Sequence, residues 1–261
     1  MLGTGNAAVT QCYNTCFALR HPNKTLLVDA GGGNGILIQL EKAGIPLTDI
    51  HAMFITHAHT DHILGAVWVV RVVAQLMQLE NMKVRSTYMD TTKPYKYSTG
   101  FAHDTSCQNC SSAGKWHRTT YRRQRNVFRS RRLHPAVLRH SLNQRKTIWF
   151  QYNTSRWEKL VCLGDEPYNE LNHDYVMGAD WLLCEAFCLY DDRERFKPYE
   201  KHHSTALDAG RLASKLDVKN LLLYHTEDKT LATRKERYTA EAQQEFTGCV
   251  YVPDDLEKII L

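Results

Sequence analysis

The sequence predicts an α/β fold. Three observations carry that expectation: short apolar runs of strand length that stop at polar residues, longer stretches with helical apolar spacing between them, and a tight cluster of His and Asp directly after one of the strands. With 261 residues, the chain is expected to form a single domain over 1–261, because folds built on two packed sheets run past ~200 residues as one unit.

Taken in order, the pattern reads strand, strand and helix up to Gly44, and then a strand at Ile50-His51-Ala52-Met53-Phe54-Ile55. Ile63-Leu64-Gly65-Ala66-Val67-Trp68-Val69-Val70 reads as a buried helix opened by His62. After a break, order returns at Lys159. The pattern there predicts strand 160–164, a short helix near 168–176, strand 180–184, helix 204–216, strand 218–224, helix 233–245 and strand 248–251. Ser204 is the expected cap of a helix running from Thr205 to Leu216, and Asp217 marks the polar turn before Val218.

The chemistry concentrates at Thr56-His57-Ala58-His59-Thr60-Asp61-His62, which puts four candidate ligands, His57, His59, Asp61 and His62, into six positions. Neutral imidazoles with a carboxylate suit Zn²⁺ or a similar borderline ion, and a strand that stops abruptly holds the following loop so that its side chains converge. A polar loop that happens to be rich in His is the bland alternative, and the tight spacing between a buried strand and a helix argues against it. Two later apolar runs also end in candidate ligands. Leu160-Val161-Cys162-Leu163-Gly164-Asp165 ends in Asp165, and Leu221-Leu222-Leu223-Tyr224-His225 ends in His225. Either alone is an ordinary strand-end polar residue; placed together after two such runs they read as ligands.

These motifs resemble the metallo-β-lactamase superfamily, whose signature is H-x-H-x-D-H at a strand end, and within it ribonuclease Z, which trims tRNA 3′ ends. The opening Leu2-Gly3-Thr4-Gly5 through Asn14-Thr15-Cys16, followed by Leu26-Leu27-Val28-Asp29-Ala30-Gly31, is similar to the N-terminal hairpin of that family. His203-Ser204-Thr205-Ala206 resembles its His-Ser-Thr helix start, and Tyr224-His225-Thr226 its final ligand motif. The resemblance implies a four-layer αββα sandwich. It implies two Zn²⁺ or Mn²⁺ ions bridged by Asp165, with His57 and His59 serving the first and Asp61, His62 and His225 the second. A shared water of lowered pKa then supplies hydroxide. The implied catalytic residues are Asp61, His203, which donates a proton to the leaving oxygen, and Glu185, which holds His203.

RNA or a small phosphodiester is the implied substrate, the implied location is cytoplasmic, and a homodimer stays open. Ribonuclease Z carries His-Glu-Ala-Thr where this chain has Cys184-Glu185-Ala186-Phe187. A hydrolase of a small ester or cyclic substrate, and a catalytically impaired relative with the same fold, therefore stay open as alternatives. No leader segment is expected, and no stretch approaches the ~20 apolar residues of a membrane span. The eight cysteines fall mostly in apolar runs and read as reduced core residues, and Cys107 and Cys110 lack the partner pair of a zinc knuckle.

The break from Arg85 to Trp157 holds fifteen Lys and Arg against Asp90 and Asp104, a net +13 in a chain whose total is +5. One reading is a basic arm in which Arg118 to Arg132, with Tyr121 and Phe128 interleaved, grips phosphates and stacks bases. The other is a frameshifted or disordered segment 85–157, since neither a helical nor a strand period persists where the family needs strands and its third metal His. Shifted by one nucleotide, codons for Leu138 to Gln144 can read Tyr-Asp-Ile-His-Ser-Thr-Lys, which removes that His from the position of Ser141. His140 is then the best substitute ligand, with His134 behind it.

For the basic arm, neutralising Arg122, Arg123, Arg125, Arg131 and Arg132 together is expected to weaken RNA binding and flatten its dependence on salt, measured by titration at two or more ionic strengths. A compensating pair of single-nucleotide shifts near codons 85 and 157 would instead identify a misread frame.

Overall fold

The computed structural model describes residues 1–21, 24–78 and 158–261, with the strand segments 87–90, 117–118, 128–129, 135–137 and 150–153. The chain divides into two compact units. The first comprises Met1–Gly3, Cys12–Arg123 and Asp255–Lys258; the second comprises Thr4–Gln11, Gln124–Asp254 and Ile259–Leu261.

The first unit holds a sheet of β1 (Phe17–His21), β2 (Lys24–Val28), β3 (Ile50–Ile55), β4 (Thr87–Asp90) and β5 (His117–Arg118), in that order. β1 and β2 form an antiparallel hairpin, as the opening motif predicts, and the pairs from β2 to β5 are parallel. Ala52, Met53, Phe54 and Ile55 are buried in succession, the mark of a strand covered on both faces. Helices α1 (Gly35–Lys42) and α2 (Thr60–Gln78) supply Ile36, Leu40, Val69 and Val73 to a core shared with Leu27, Met53 and Ile55. The helix expected from Ile63 starts earlier, at Thr60, so Asp61 and His62 lie in its first turn. An acidic residue there favours the helix start, because the exposed amides carry partial positive charge.

The second unit holds β6 (Phe128–Arg129), β7 (Pro135–Val137), β8 (Phe150–Asn153), β9 (Lys159–Cys162), β10 (Trp181–Glu185), β11 (Asn220–Tyr224) and β12 (Cys249–Tyr251). Their order across the sheet is β12-β11-β10-β9-β8-β7-β6, parallel from β12 to β9 and antiparallel beyond. Its helices are the single turns α3 (His173–Val176) and α4 (Arg193–Phe196) and the longer α5 (Ala206–Lys215) and α6 (Leu231–Ala242). Ala209 and Ala213 of α5 pack with Tyr238 and Ala242 of α6 and with Leu221 and Leu223 of β11.

Two expectations need correction. The cap of α5 is Thr205, not Ser204: the Thr205 hydroxyl accepts from the Asp208 amide while Asp208 accepts from the Thr205 amide at 3.0 Å. Adjacent Ser and Thr are equally able to cap, and the Asp at the third helical position selects Thr205. The helix expected at 233–245 lies three residues nearer the N-terminus at its end, closing at Ala242. Asp217, at φ 50°, does form the turn before β11. Among the described residues no helix is long and apolar enough to cross a membrane.

Polar residues emerge where parallel strands end, the edge at which α/β sheets place their ligands. The backbone turns there through the left-handed region: Asp29 after β2 (φ 54°), Gly164 after β9 (φ 77°) and His225 after β11 (φ 59°). A non-glycine residue held in this region stores strain of ~1–3 kcal/mol that the surroundings must offset.

Helix α2 sits hard against the turn after β2. The Gly65 amide donates to the Gly31 carbonyl at 2.9 Å, and a Cβ on Gly65 would lie 1.8 Å from the Ala30 carbonyl oxygen. Gly65→Ala is therefore expected to destabilise the fold by about 1–3 kcal/mol through overpacking against backbone. Thermal melting checks this; an unchanged midpoint would mean the contact gives way freely.

Candidate metal centre

In the first unit, β3 delivers His57 and α2 delivers Asp61 and His62, with His59 between them on the exposed side. The His57 ring lies 4.3 Å from those of both His59 and His62, and His62 Nε2 lies 3.4 Å from Asp61 Oδ2. His57, Asp61 and His62 are buried. The hydrogen bonds behind them set the ring tautomers. Asp29 accepts from the Thr56 amide at 2.8 Å and from the Thr56 hydroxyl at 2.7 Å, and its Oδ2 lies 2.8 Å from His62 Nδ1. An ionised carboxylate only accepts, so His62 Nδ1 carries the proton and its Nε2 presents a lone pair. The Thr56 hydroxyl, having donated to Asp29, accepts from His57 Nδ1 at 3.0 Å, and His57 Nε2 is left in the same state. A carboxylate that orients an imidazole in this way also raises its basicity as a ligand. The donor set therefore fits a borderline divalent ion.

In the second unit, Asp165 follows β9, Glu185 closes β10 and His225 follows β11. Asp165 Oδ2 lies 3.7 Å from His225 Nε2, both side chains being buried. His203 sits beside His225 with ring centroids 5.1 Å apart, and stacks on Phe187 at 4.6 Å with an interplanar angle of 13°. Glu185, fully buried, faces His203 Nδ1 across 3.6 Å, an ion-pair separation rather than a hydrogen bond. Its other oxygen accepts from the Ser204 amide and hydroxyl, each at 2.5 Å. Burial works against the His203 imidazolium, and the Glu185 and Asp165 carboxylates outweigh it, holding the ring above its ordinary pKa.

The residue after His225 is braced from inside. Arg234, 1% exposed in α6, donates to the Thr4 and Thr226 hydroxyls at 3.0 Å, to the Pro253 carbonyl at 2.8 Å and to Asp254 at 2.9 Å. The Thr226 amide donates to the Thr4 carbonyl at 3.0 Å.

The structure thus brings together His57, His59, Asp61 and His62 in one unit, and Asp165, Glu185, His203 and His225 in the other. His140, Cys107 and Cys110 lie outside the described residues, and so does the basic arm apart from Arg118, Phe128 and Arg129, which fall in β5 and β6. Sequence reasoning missed Asp29 as part of the site. An Asp closing the apolar run Leu26-Leu27-Val28, ahead of Gly31, was the available signal, the same strand-end pattern that marked Asp165.

A family model described as Anti-Pycsar protein Apyc1 matches residues 1–94. Among solved structures, the metallo-β-lactamase fold protein YhfI from Bacillus subtilis superposes with a TM-score of 0.71 at 17% identity, covering 97% of this chain and 94% of that one. Human tRNase Z, short form, superposes with a TM-score of 0.70 at 19% identity, covering 98% and 96%. The chain has the metallo-β-lactamase fold. Ribonuclease Z of Ignicoccus hospitalis is 25% identical over 274 residues, 88% of this chain and 87% of the relative. Along most of its length the chain is thus similar to a ribonuclease Z.

Asp29→Asn keeps the shape of the side chain and removes the charge that orients His62. It is expected to weaken Zn²⁺ binding roughly 10–100-fold, read by competition with a chromophoric chelator.

Proposed function

We propose that this chain is a metal-dependent phosphodiesterase of the ribonuclease Z type, acting on RNA or a related phosphodiester. The observation that carries the reading is the His57, Asp61 and His62 cluster, its tautomers set by Asp29 and Thr56 so that Nε2 lone pairs are presented as ligands. Similarity to ribonuclease Z along most of the chain supports the same conclusion. In this reading His57, His59, Asp61 and His62 of the first unit, and Asp165 and His225 of the second, would supply ligands to Zn²⁺ or Mn²⁺, and His140, outside the described residues, would be a further imidazole. Such ions, when bound, polarise phosphoryl oxygens and lower the pKa of water.

The protein's own contribution is positioning and proton delivery. His203, raised in pKa and backed by Glu185, holds a proton for the leaving oxygen. Glu185 cannot swing away, because Ser204 occupies its other oxygen. Phe187 keeps the imidazole in one plane, and the partial exposure of His203 leaves it open to a substrate.

Purified protein is expected to retain up to about two Zn²⁺ or Mn²⁺ per chain. Elemental analysis should show less metal in His59→Ala and Asp165→Ala; unchanged content would remove the metal reading. His203→Ala should lower kcat roughly 10²–10⁴-fold on a chromogenic phosphodiester with metal content retained. Equal turnover of variant and parent would reduce His203 to a solvated residue at a helix start.

A further inference from the structure

Tyr224 stands one residue before His225, and its hydroxyl donates to the carbonyl of Gly164, one residue before Asp165. The two strands concerned are not neighbours: β10 lies between β9 and β11, with Glu185 the register partner of Tyr224 and Leu183 that of Cys162. The phenol therefore reaches over the carboxyl end of β10, and its oxygen also lies 3.6 Å from Cys162 Sγ. Tyr224 is 2% exposed, and packing alone would be met by Phe at such a position, without the burden of a buried hydroxyl.

What the hydroxyl holds is the turn that leads from β9 to Asp165. The β9 ladder runs out with the Leu163 amide donating to the Leu183 carbonyl at 3.1 Å. Gly164 follows at φ 77°, a residue free to rotate in either direction. Asp165 comes next, 3.7 Å from His225 Nε2. The His225 side is already fixed, since the Ala186 amide donates to the Tyr224 carbonyl at 2.9 Å and the Thr226 amide to Thr4 at 3.0 Å. A rigid ring anchored on that side and hydrogen-bonded to the glycine on the other sets the separation of the two side chains.

We propose that Tyr224 is a positioning residue for the metal centre, its hydroxyl holding the Gly164-Asp165 turn at ligand spacing from His225. The inference rests on the metal-binding reading above and adds to it a residue that touches no ion.

The test is Zn²⁺ affinity of the full chain by chelator competition, for the parent, Tyr224→Phe, Asp165→Asn and the double variant. Tyr224→Phe should bind Zn²⁺ roughly 10–100-fold more weakly. Combined with Asp165→Asn it should add little further loss, because the hydroxyl acts through that carboxylate. A lower melting temperature with unchanged Zn²⁺ affinity, or losses that simply add, would overturn the proposal and leave the metal reading intact. A parent that binds no Zn²⁺ would overturn both. Should Tyr224→Phe fail to fold, the Tyr224 hydroxyl proton in the parent decides by NMR: a shift on Zn²⁺ addition is expected, and an unmoved resonance would overturn the proposal.

Discussion

The His and Asp cluster of the first unit depends on one buried carboxylate. Asp29 is 3% exposed, and a carboxylate removed from water is tolerated only where donors replace its hydration. Here the donors are the Thr56 amide, the Thr56 hydroxyl and His62 Nδ1. Meeting that need ties the end of β2 to the end of β3 and to the first turn of α2. Left-handed backbone at Asp29 is tolerated for the same reason, and Asp is among the few residues other than Gly that adopt it readily. The solvation requirement of one side chain thus dictates where two imidazoles point.

The second unit solves the same problem with acids that serve backbone amides. Glu185 satisfies Ser204 while facing His203, and Glu241 of α6 accepts from the Tyr190 amide at 2.9 Å and the Leu207 amide at 2.9 Å. The segment between β10 and α5, which carries Phe187 and His203, is therefore held at both ends by carboxylates from other elements. Buried donors lacking acceptors would cost more than the chain's irregular path there could recover from packing. Rigidity around His203 follows from hydrogen-bond accounting rather than from secondary structure.

This division explains what could be read from sequence. His57, His59, Asp61 and His62 are contiguous, and Asp165 and His225 close recognisable apolar runs, so local pattern suffices for them. Asp29, Tyr224 and Arg234 act on residues 27, 60 and 230 positions away, respectively. No periodicity marks a side chain whose role is set by such a distant partner. Ser204 shows the converse: local capping chemistry suggested a role for it, and Glu185, nineteen positions away, claims its hydroxyl instead. Strand and helix order was legible because the parallel strands are uniformly apolar, whereas helix ends shifted with caps that single residues decide.

Arg234 gives the second unit a temporal property. Its guanidinium is buried and needs acceptors from Thr4, Thr226, Pro253 and Asp254 at once. During synthesis the first of these leaves the ribosome long before the last. Until Pro253 and Asp254 emerge, two of the four acceptors are missing and the cation has reason to remain in water, so the loop bearing His225 cannot close around it. The loop bearing His225 is thus secured only after Asp254 has left the ribosome, and a shorter nascent chain would hold the motif from His57 to His62 while lacking the braced loop.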